Sequence, residues 1–167
     1  MPRIRPARAD DEAALLPIHL ATWTSDVSPG GTPDPDEPLL EARTLGDFLV
    51  AEDDDVVLGY IRLNQPGPLP SHSHALVVDG LAVHPDHQSR GIGRLLVDAA
   101  LREALERGAL KVSLRVLAPN ERARSLYEHC GFVVEGVLRG EFFLDGQYVD
   151  DVVMARRLEG SPVSAST

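Results

Sequence analysis

A mixed α/β fold, with helices interrupting a largely antiparallel sheet, is the architecture this sequence predicts, on three observations. Leu76-Val77-Val78-Asp79-Gly80-Leu81-Ala82-Val83 is a nearly unbroken apolar run, the pattern of a strand covered on both faces. A turn carrying Gly91 and Gly93 follows, and feeds a segment in which Leu96, Val97, Ala100, Leu101 and Ala104 share one side at helical spacing. Around this unit, strand-like and helix-like stretches alternate irregularly, which excludes a barrel of regular strand–helix repeats.

Taken in order, Arg3-Ile4-Arg5-Pro6-Ala7 reads as a short edge strand, a position that tolerates Pro6. Asp10 is placed to cap a helix with Asp11 and Glu12 in its first turn. That helix turns Ala14, Leu15 and Ile18 inward, reaches about Trp23, and is expected to kink or split at Pro17. Thr24 to Pro38 lacks periodicity over a length unusual inside a compact domain, so it is a functional loop or a mobile one. Leu39 to Leu45 is expected to be a short helix. Phe48 to Glu52 and Val56 to Leu63 form a hairpin around Asp53-Asp54-Asp55. Asn64 to Ser73, with Pro66, Pro68 and Pro70, is a second loop. Beyond the central unit, Leu110, Val112, Leu114 and Val116 alternate with Lys111, Ser113 and Arg115, a strand of period two. A helix begins at Asn120 and stops at Gly131. Phe132 to Val137 and Gly140 to Leu144 are strand-like, and Asp145-Gly146 is a hairpin turn that returns the chain through Gln147 to Met154. Residues 1–160 are expected to form one domain and 161–167 a frayed tail.

Composition narrows the class. The single cysteine, Cys130, excludes an intrachain disulfide and a multi-cysteine metal site, so a reducing, cytoplasmic setting is the default. No apolar stretch is long enough to span a membrane. A net charge of −10 argues against a nucleic-acid partner held by phosphate neutralisation and suits a cationic small partner.

Gln88-Ser89-Arg90-Gly91-Ile92-Gly93-Arg94 lies between the central strand and its helix. Glycines there remove Cβ atoms where backbone N–H groups can converge on an anion. The segment is not a dinucleotide fingerprint, because Leu96 stands where a third glycine is required, and no Lys-Ser or Lys-Thr pair makes it a Walker loop. It resembles the pyrophosphate-binding motif of the GCN5-related N-acetyltransferase (GNAT) superfamily, a Gln or Arg followed by x-x-Gly-x-Gly or Ala. Asn120-Glu121-Arg122-Ala123-Arg124-Ser125-Leu126-Tyr127, closed by Gly131-Phe132, resembles a second motif of that superfamily. The order of elements is similar over nearly the whole chain.

That resemblance implies a central, largely antiparallel, splayed sheet flanked by helices. It implies acetyl-CoA as cosubstrate, no metal, and N-acetyl transfer to a primary amine by direct attack. Gln88, Ser89, Arg90, Gly91, Ile92, Gly93 and Arg94 would hold the pyrophosphate. Backbone at Leu81, Ala82 and Val83 would align pantetheine and acetyl, Asn120 would contact the coenzyme, and Tyr127 would protonate the departing thiolate. The hairpin from Leu138 to Met154 resembles members that acetylate small amines, amino acids or protein N-termini, without choosing among them. A homodimer is left open. The rivals are a non-catalytic acyl-CoA-binding module on the same fold, and an acyltransferase that uses another acyl-CoA.

An amine with a pKa of about 10.4 is almost wholly protonated at neutral pH, so a positioned base is useful. Asp79 is the best candidate, because it is the only ionisable residue of the central run, where an unpartnered carboxylate is costly. On a regular strand it shares a face with Leu81 and Val83, although Gly80 invites a bulge that would change that parity. The superfamily's acid is commonly Glu; Asp79 reaches one methylene less far, which leaves room for an ordered water. A structural acid bonded to a neighbouring strand is the alternative. His72 and His74 lack a third metal ligand, His84 and His87 shape the turn before the glycines, and Cys130 is read as a small buried thiol.

Overall fold

The turn and strand signals assemble into one sheet, and its edges follow from where the chain reverses. The structure, a computed structural model, describes residues 1–41 and 44–159. Among these, seven strands form a single sheet: β1 (Arg3–Pro6), β2 (Phe48–Asp53), β3 (Val56–Asn64), β4 (Ala75–Val83), β5 (Lys111–Leu117), β6 (Val133–Leu144) and β7 (Gln147–Arg157). Their spatial order is β1-β2-β3-β4-β5-β7-β6, and every neighbouring pair is antiparallel except β4–β5. The helices are α1 (Glu12–Thr22), α2 (Ile92–Glu106) and α3 (Glu121–His129). Such a sheet between helices is the architecture the residue patterns predict.

Both faces of the sheet are covered, by different helices. On one face α2 buries Leu96, Val97, Ala100, Leu101 and Ala104, the stripe legible in the sequence, against Ile61, Leu63, Leu76, Leu114 and Met154. On the other, α1 sets Leu15 and Ile18 on Phe48, Val50, Tyr60 and Ala82. The Asp54-Asp55 turn has φ of 48° and 64°, and Asp145-Gly146 has 50° and 79°, the left-handed pairs that two-residue hairpins need. Gly131, at φ 87°, ends α3 as expected.

Several expectations need correction. Asp10 does not cap α1: a short 3-10 turn, Ala9–Asp11, precedes the helix. The buried Asp11 instead accepts the Arg8 N–H at 2.7 Å and pairs with Arg5 at 2.8 Å. Pro17 neither splits nor ends α1, which runs unbroken to Thr22, because proline removes one backbone bond while the fully buried Leu15 and Ile18 anchor both sides of it. Leu39–Glu41 is not helical, and the next turn of helix is the 3-10 segment Leu45–Asp47; Ala42 and Arg43 lie outside the described residues. Glu12 explains the extended course, since its carboxylate accepts the Leu39 and Leu40 N–H groups at 2.8 and 2.7 Å, taking the bonds a helix would have made. The two strand-like stretches after Gly131 are one strand, β6, whose register shifts between Leu138 and Phe142. There Gly140, at φ 59°, donates its N–H to Asp150 at 2.8 Å. The tail from Gly160 lies outside the described residues.

Among the described glycines, Gly59 leaves the least room for a Cβ. A Cβ built on it would stand 2.4 Å from the Ala82 carbonyl oxygen and 3.0 Å from the Val83 Cα, both backbone atoms. Gly59→Ala is expected to lower the unfolding free energy by about 1–3 kcal/mol through overpacking. The check is urea denaturation, where the midpoint should fall while the slope is kept.

Candidate functional site

β4 and β5 are paired only from Ala75–Lys111 to Val78–Leu114. Beyond that point β4 continues against β3, and β5 continues against β7, so the two strands diverge. The gap is a cleft of about 630 Å³, floored by Val77 to Val83 and walled by α1, α3 and the glycine turn. A splayed sheet is the feature the resemblance implied; the structure places the splay at the parallel pair β4–β5, and it brings most of the sequence-predicted residues to one place.

The divergence coincides with a bulge. Leu63 pairs with Val78 and the adjacent Arg62 pairs with Gly80, so Asp79 is the extra residue on β4. This overturns the shared face expected for Asp79, Leu81 and Val83. Leu81 and Val83 pack on the α2 side, whereas Asp79 reaches Asn64 Nδ2 at 2.9 Å and Arg62 at 3.5 Å on the α1 side. Nor is the carboxylate an unpartnered buried one; its side chain is 36% exposed at the cleft. Burial still moves its pKa above the ordinary Asp value, against the opposing pull of Arg62 and Asn64.

At the other end, Ser89 and Gly91 have φ of 62° and 80°, and α2 starts without any side-chain cap. The first bond of the helix is Leu95 N–H to Gly91 O, so the N–H groups of Ile92, Gly93 and Arg94 precede the ladder and face outward. These are the requirements of an anion cradle. The two glycines divide the work. A Cβ on Gly91 would meet nothing within 4 Å, so that position needs glycine for its backbone, whereas a Cβ on Gly93 would stand 3.2 Å from Leu126 Cδ2. Gly93 therefore sets the approach of α3 to α2 as well as the turn. Gln88 fixes the cradle to the floor, donating from Nε2 to the Val83 carbonyl at 3.1 Å.

α3 contributes three groups. Asn120 caps it by accepting the Ala123 N–H at 3.2 Å, so its side-chain oxygen is already engaged, although the residue lines the cleft. Tyr127 is 7% exposed, packs edge-on against Phe132, and also lines the cleft; burial pushes its hydroxyl pKa far above the ordinary value. Arg122, which the sequence did not single out, donates to Gln88 Oε1 at 2.7 Å and reaches Ser89 at 3.4 Å, placing a guanidinium over the cradle.

The opposite wall was not legible. His19 of α1 and Tyr60 of β3 meet at 2.8 Å, Nδ1 to Oη, and both line the cleft with Trp23, Val27, Ser28 and Pro29. The aperiodic loop after α1 is thus a wall of the site, tied at Ser25 to Asp145 in the turn between β6 and β7. Trp23 Nε1 is buried with no hydrogen-bond partner among the described residues. Glu141 and Asp151 of the last hairpin both pair with Arg115, which lines the cleft. Cys130 is buried, and burial raises its thiol pKa. His72 and His74 stand 6.4 Å apart, and no group of three or more metal-ligating side chains occurs among the described residues.

An uncapped helix N-terminus beside diverging parallel strands defines a class, and comparison with known proteins agrees. Residues 14–132 match the acetyltransferase (GNAT) family. The chain belongs to that family and is an N-acetyltransferase by class. It is 31% identical over 162 residues to the L-amino acid N-acyltransferase MnaT of Escherichia coli (strain K12), covering 93% of this chain and 94% of the relative. The solved structure of smu.2055 from Streptococcus mutans UA159 superposes with a TM-score of 0.82 at 30% identity, covering 94% of this chain and 99% of that one. A GNAT superfamily phosphinothricin acetyltransferase from Sinorhizobium meliloti, solved in complex with acetyl-CoA, shares the fold at a TM-score of 0.80 and 18% identity, covering 94% of this chain and 88% of that one.

Arg122 carries a test of the cradle. A hydrogen bond to a charged group contributes about 1.5–3 kcal/mol, so Arg122→Ala should weaken coenzyme A binding by roughly ten- to a hundredfold with the fold intact. Titration calorimetry reads this directly, and an unchanged affinity would remove Arg122 from the phosphate site.

Proposed function

We propose that this N-acetyltransferase moves the acetyl group of acetyl-CoA onto a primary amine by direct attack, within the cleft between β4 and β5. The observation that carries this is the continuity of the cleft, from the uncapped start of α2 at one end to the carboxylate of Asp79 at the other. The pyrophosphate would sit on Gln88 to Arg94, meeting the free N–H groups of the first turn and the guanidinium of Arg122. Pantetheine and acetyl would run along the backbone of Leu81, Ala82 and Val83, whose β5-side edge has no strand partner. A backbone that has lost its neighbour strand offers hydrogen bonds to an amide-bearing arm. The complex of the Sinorhizobium meliloti protein with acetyl-CoA supports this coenzyme on the shared fold.

The amine would enter between α1, the Val27–Pro29 loop and Asp79. Asp79 favours a cationic acceptor there, and a small amine or amino acid fits a cleft of this size. The likeness to an amino-acid N-acyltransferase supports the same class. After attack, the thiolate needs a proton. Tyr127, which lines the cleft and which burial keeps protonated, would supply it.

A test needs no knowledge of the natural acceptor. Purified protein offered acetyl-CoA with a panel of amines should release free thiol with at least one of them. Tyr127→Phe should retain acetyl-CoA affinity while kcat falls by about 10²–10⁴-fold. A wild-type kcat in the Phe variant would reduce Tyr127 to a packing residue.

The same proposal includes a homodimer. β6 is the outermost strand of the sheet and exposes Val133, Val137 and Phe143 at 63%, 42% and 64%. An apolar edge of this length is a pairing surface unless it is covered. Sedimentation equilibrium should return twice the chain mass, and Phe143→Lys should return it to one; a wild-type monomer at all concentrations would refute the dimer.

A further inference from the structure

An ammonium entering this cleft must lose a proton before its lone pair can attack. Asp79 is poorly suited to take it, because the carboxylate is already shared between Asn64 and the Arg62 guanidinium. A second group stands on the same side. Tyr60 Oη and His19 Nδ1 are 2.8 Å apart and both line the cleft. Packing fixes their placement. Tyr60 is 3% exposed, tilted against Phe48 at 5.7 Å, and a Cβ at Gly80 would already touch its ring edge at 3.5 Å. His19 follows Ile18, which packs with Tyr60 and Ala82 in one cluster, and Ala82 belongs to the stretch assigned above to the acetyl group.

Resting on the function proposed above, we propose that the Tyr60–His19 pair is the proton relay of the reaction, and that Asp79 attracts the ammonium without deprotonating it. The ammonium gives a proton to Tyr60 Oη as the hydroxyl proton of Tyr60 passes to His19 Nδ1, leaving a neutral amine and an imidazolium. The amine nitrogen bonds to the acetyl carbon, and the C–S bond breaks. The thiolate takes the proton of Tyr127, and the surplus proton on the new amide nitrogen restores the phenol. The one proton left on His19 then leaves to solvent.

The charges around the pair suit this use. Burial lowers the pKa of His19 below the ordinary imidazole value despite Glu12 on the same helix, so the ring is a free base at neutral pH. Burial and Asp79 hold the Tyr60 hydroxyl protonated, with Arg62 opposing them. From the turn after β4, which packs on α1, His87 faces the same cleft.

The sign of the pH dependence separates the two bases. With a working relay, neutral His19 and the bound ammonium carry the flux. kcat/KM then levels off once pH exceeds the lowered His19 pKa. Without it only free amine reacts, and kcat/KM climbs tenfold per pH unit towards the amine's own pKa. The measurement is thiol release from acetyl-CoA with the common L-amino acids and spermidine as probes, profiled against pH for wild type and four variants. His19→Gln and Tyr60→Phe should each replace the plateau by the climb and lose about 10²–10⁴-fold at neutral pH, and the double variant should lose no more than either alone. Asp79→Asn should raise KM for spermidine and keep the plateau. Acetyl-CoA affinity, which the relay does not touch, verifies that each variant is folded, and Tyr60→Phe serves if His19→Gln is not. The relay is overturned if both variants keep the plateau, or if Asp79→Asn alone abolishes it. No thiol release by wild type with any probe would instead overturn the acetyl-transfer function, and the relay with it.

Discussion

Where β4 and β5 part, each strand keeps one partner and loses the other, and the rest of the site depends on that loss. Buried backbone groups are almost always paired, so a sheet interrupted at its centre is tolerated only where something else meets the exposed edge. Here the bulge at Asp79 keeps β4 in register with β3 while β5 stays with β7 through Leu117–Asp151. Beyond Val78–Leu114 each half of the sheet keeps its own pairing. Thus the cleft is part of the fold and requires no rearrangement to exist.

Its polarity follows from which element closes each end. Arg94 and Arg122 join the start of α2 at one end, so that helix dipole, free N–H groups and guanidinium groups all favour an anion. Asp79 stands at the other, where α1 and the Val27–Pro29 loop close the wall. A net charge of −10 says nothing about this arrangement, because the cradle is locally cationic within an acidic protein. On the last hairpin, Glu141 and Asp151 both pair with Arg115.

α1 ties the two halves of the site together. Its apolar side covers the β3–β4 face, Glu12 at its start holds the chain at Leu39 and Leu40, and the loop from its end reaches Asp145. A long loop fixed at both ends by side-chain bonds can wall a cleft without secondary structure of its own. That explains why Val27 to Pro29, within a stretch featureless as sequence, line the α1 side of the cleft.

What the sequence determined alone was whatever depends on neighbours along the chain. Period-two alternation gave β5, helical spacing gave the buried stripe of α2, Asp145-Gly146 gave the last hairpin, and the glycine turn gave the cradle. Each is set within a few residues by backbone sterics and hydrophobic pattern. The tertiary structure decided what depends on register and on distant partners. The bulge that turns Asp79 away from Leu81 and Val83 is a property of β3 and β4 together, and no spacing within β4 encodes it. The survival of α1 through Pro17 depends on a sheet face thirty or more residues away in sequence. His19 and Tyr60 lie 41 residues apart, each unremarkable in its own element, and only the packing of α1 on β3 makes them one group. Local chemistry is written in the chain, but the meeting of two side chains across a sheet face is a product of the folded geometry.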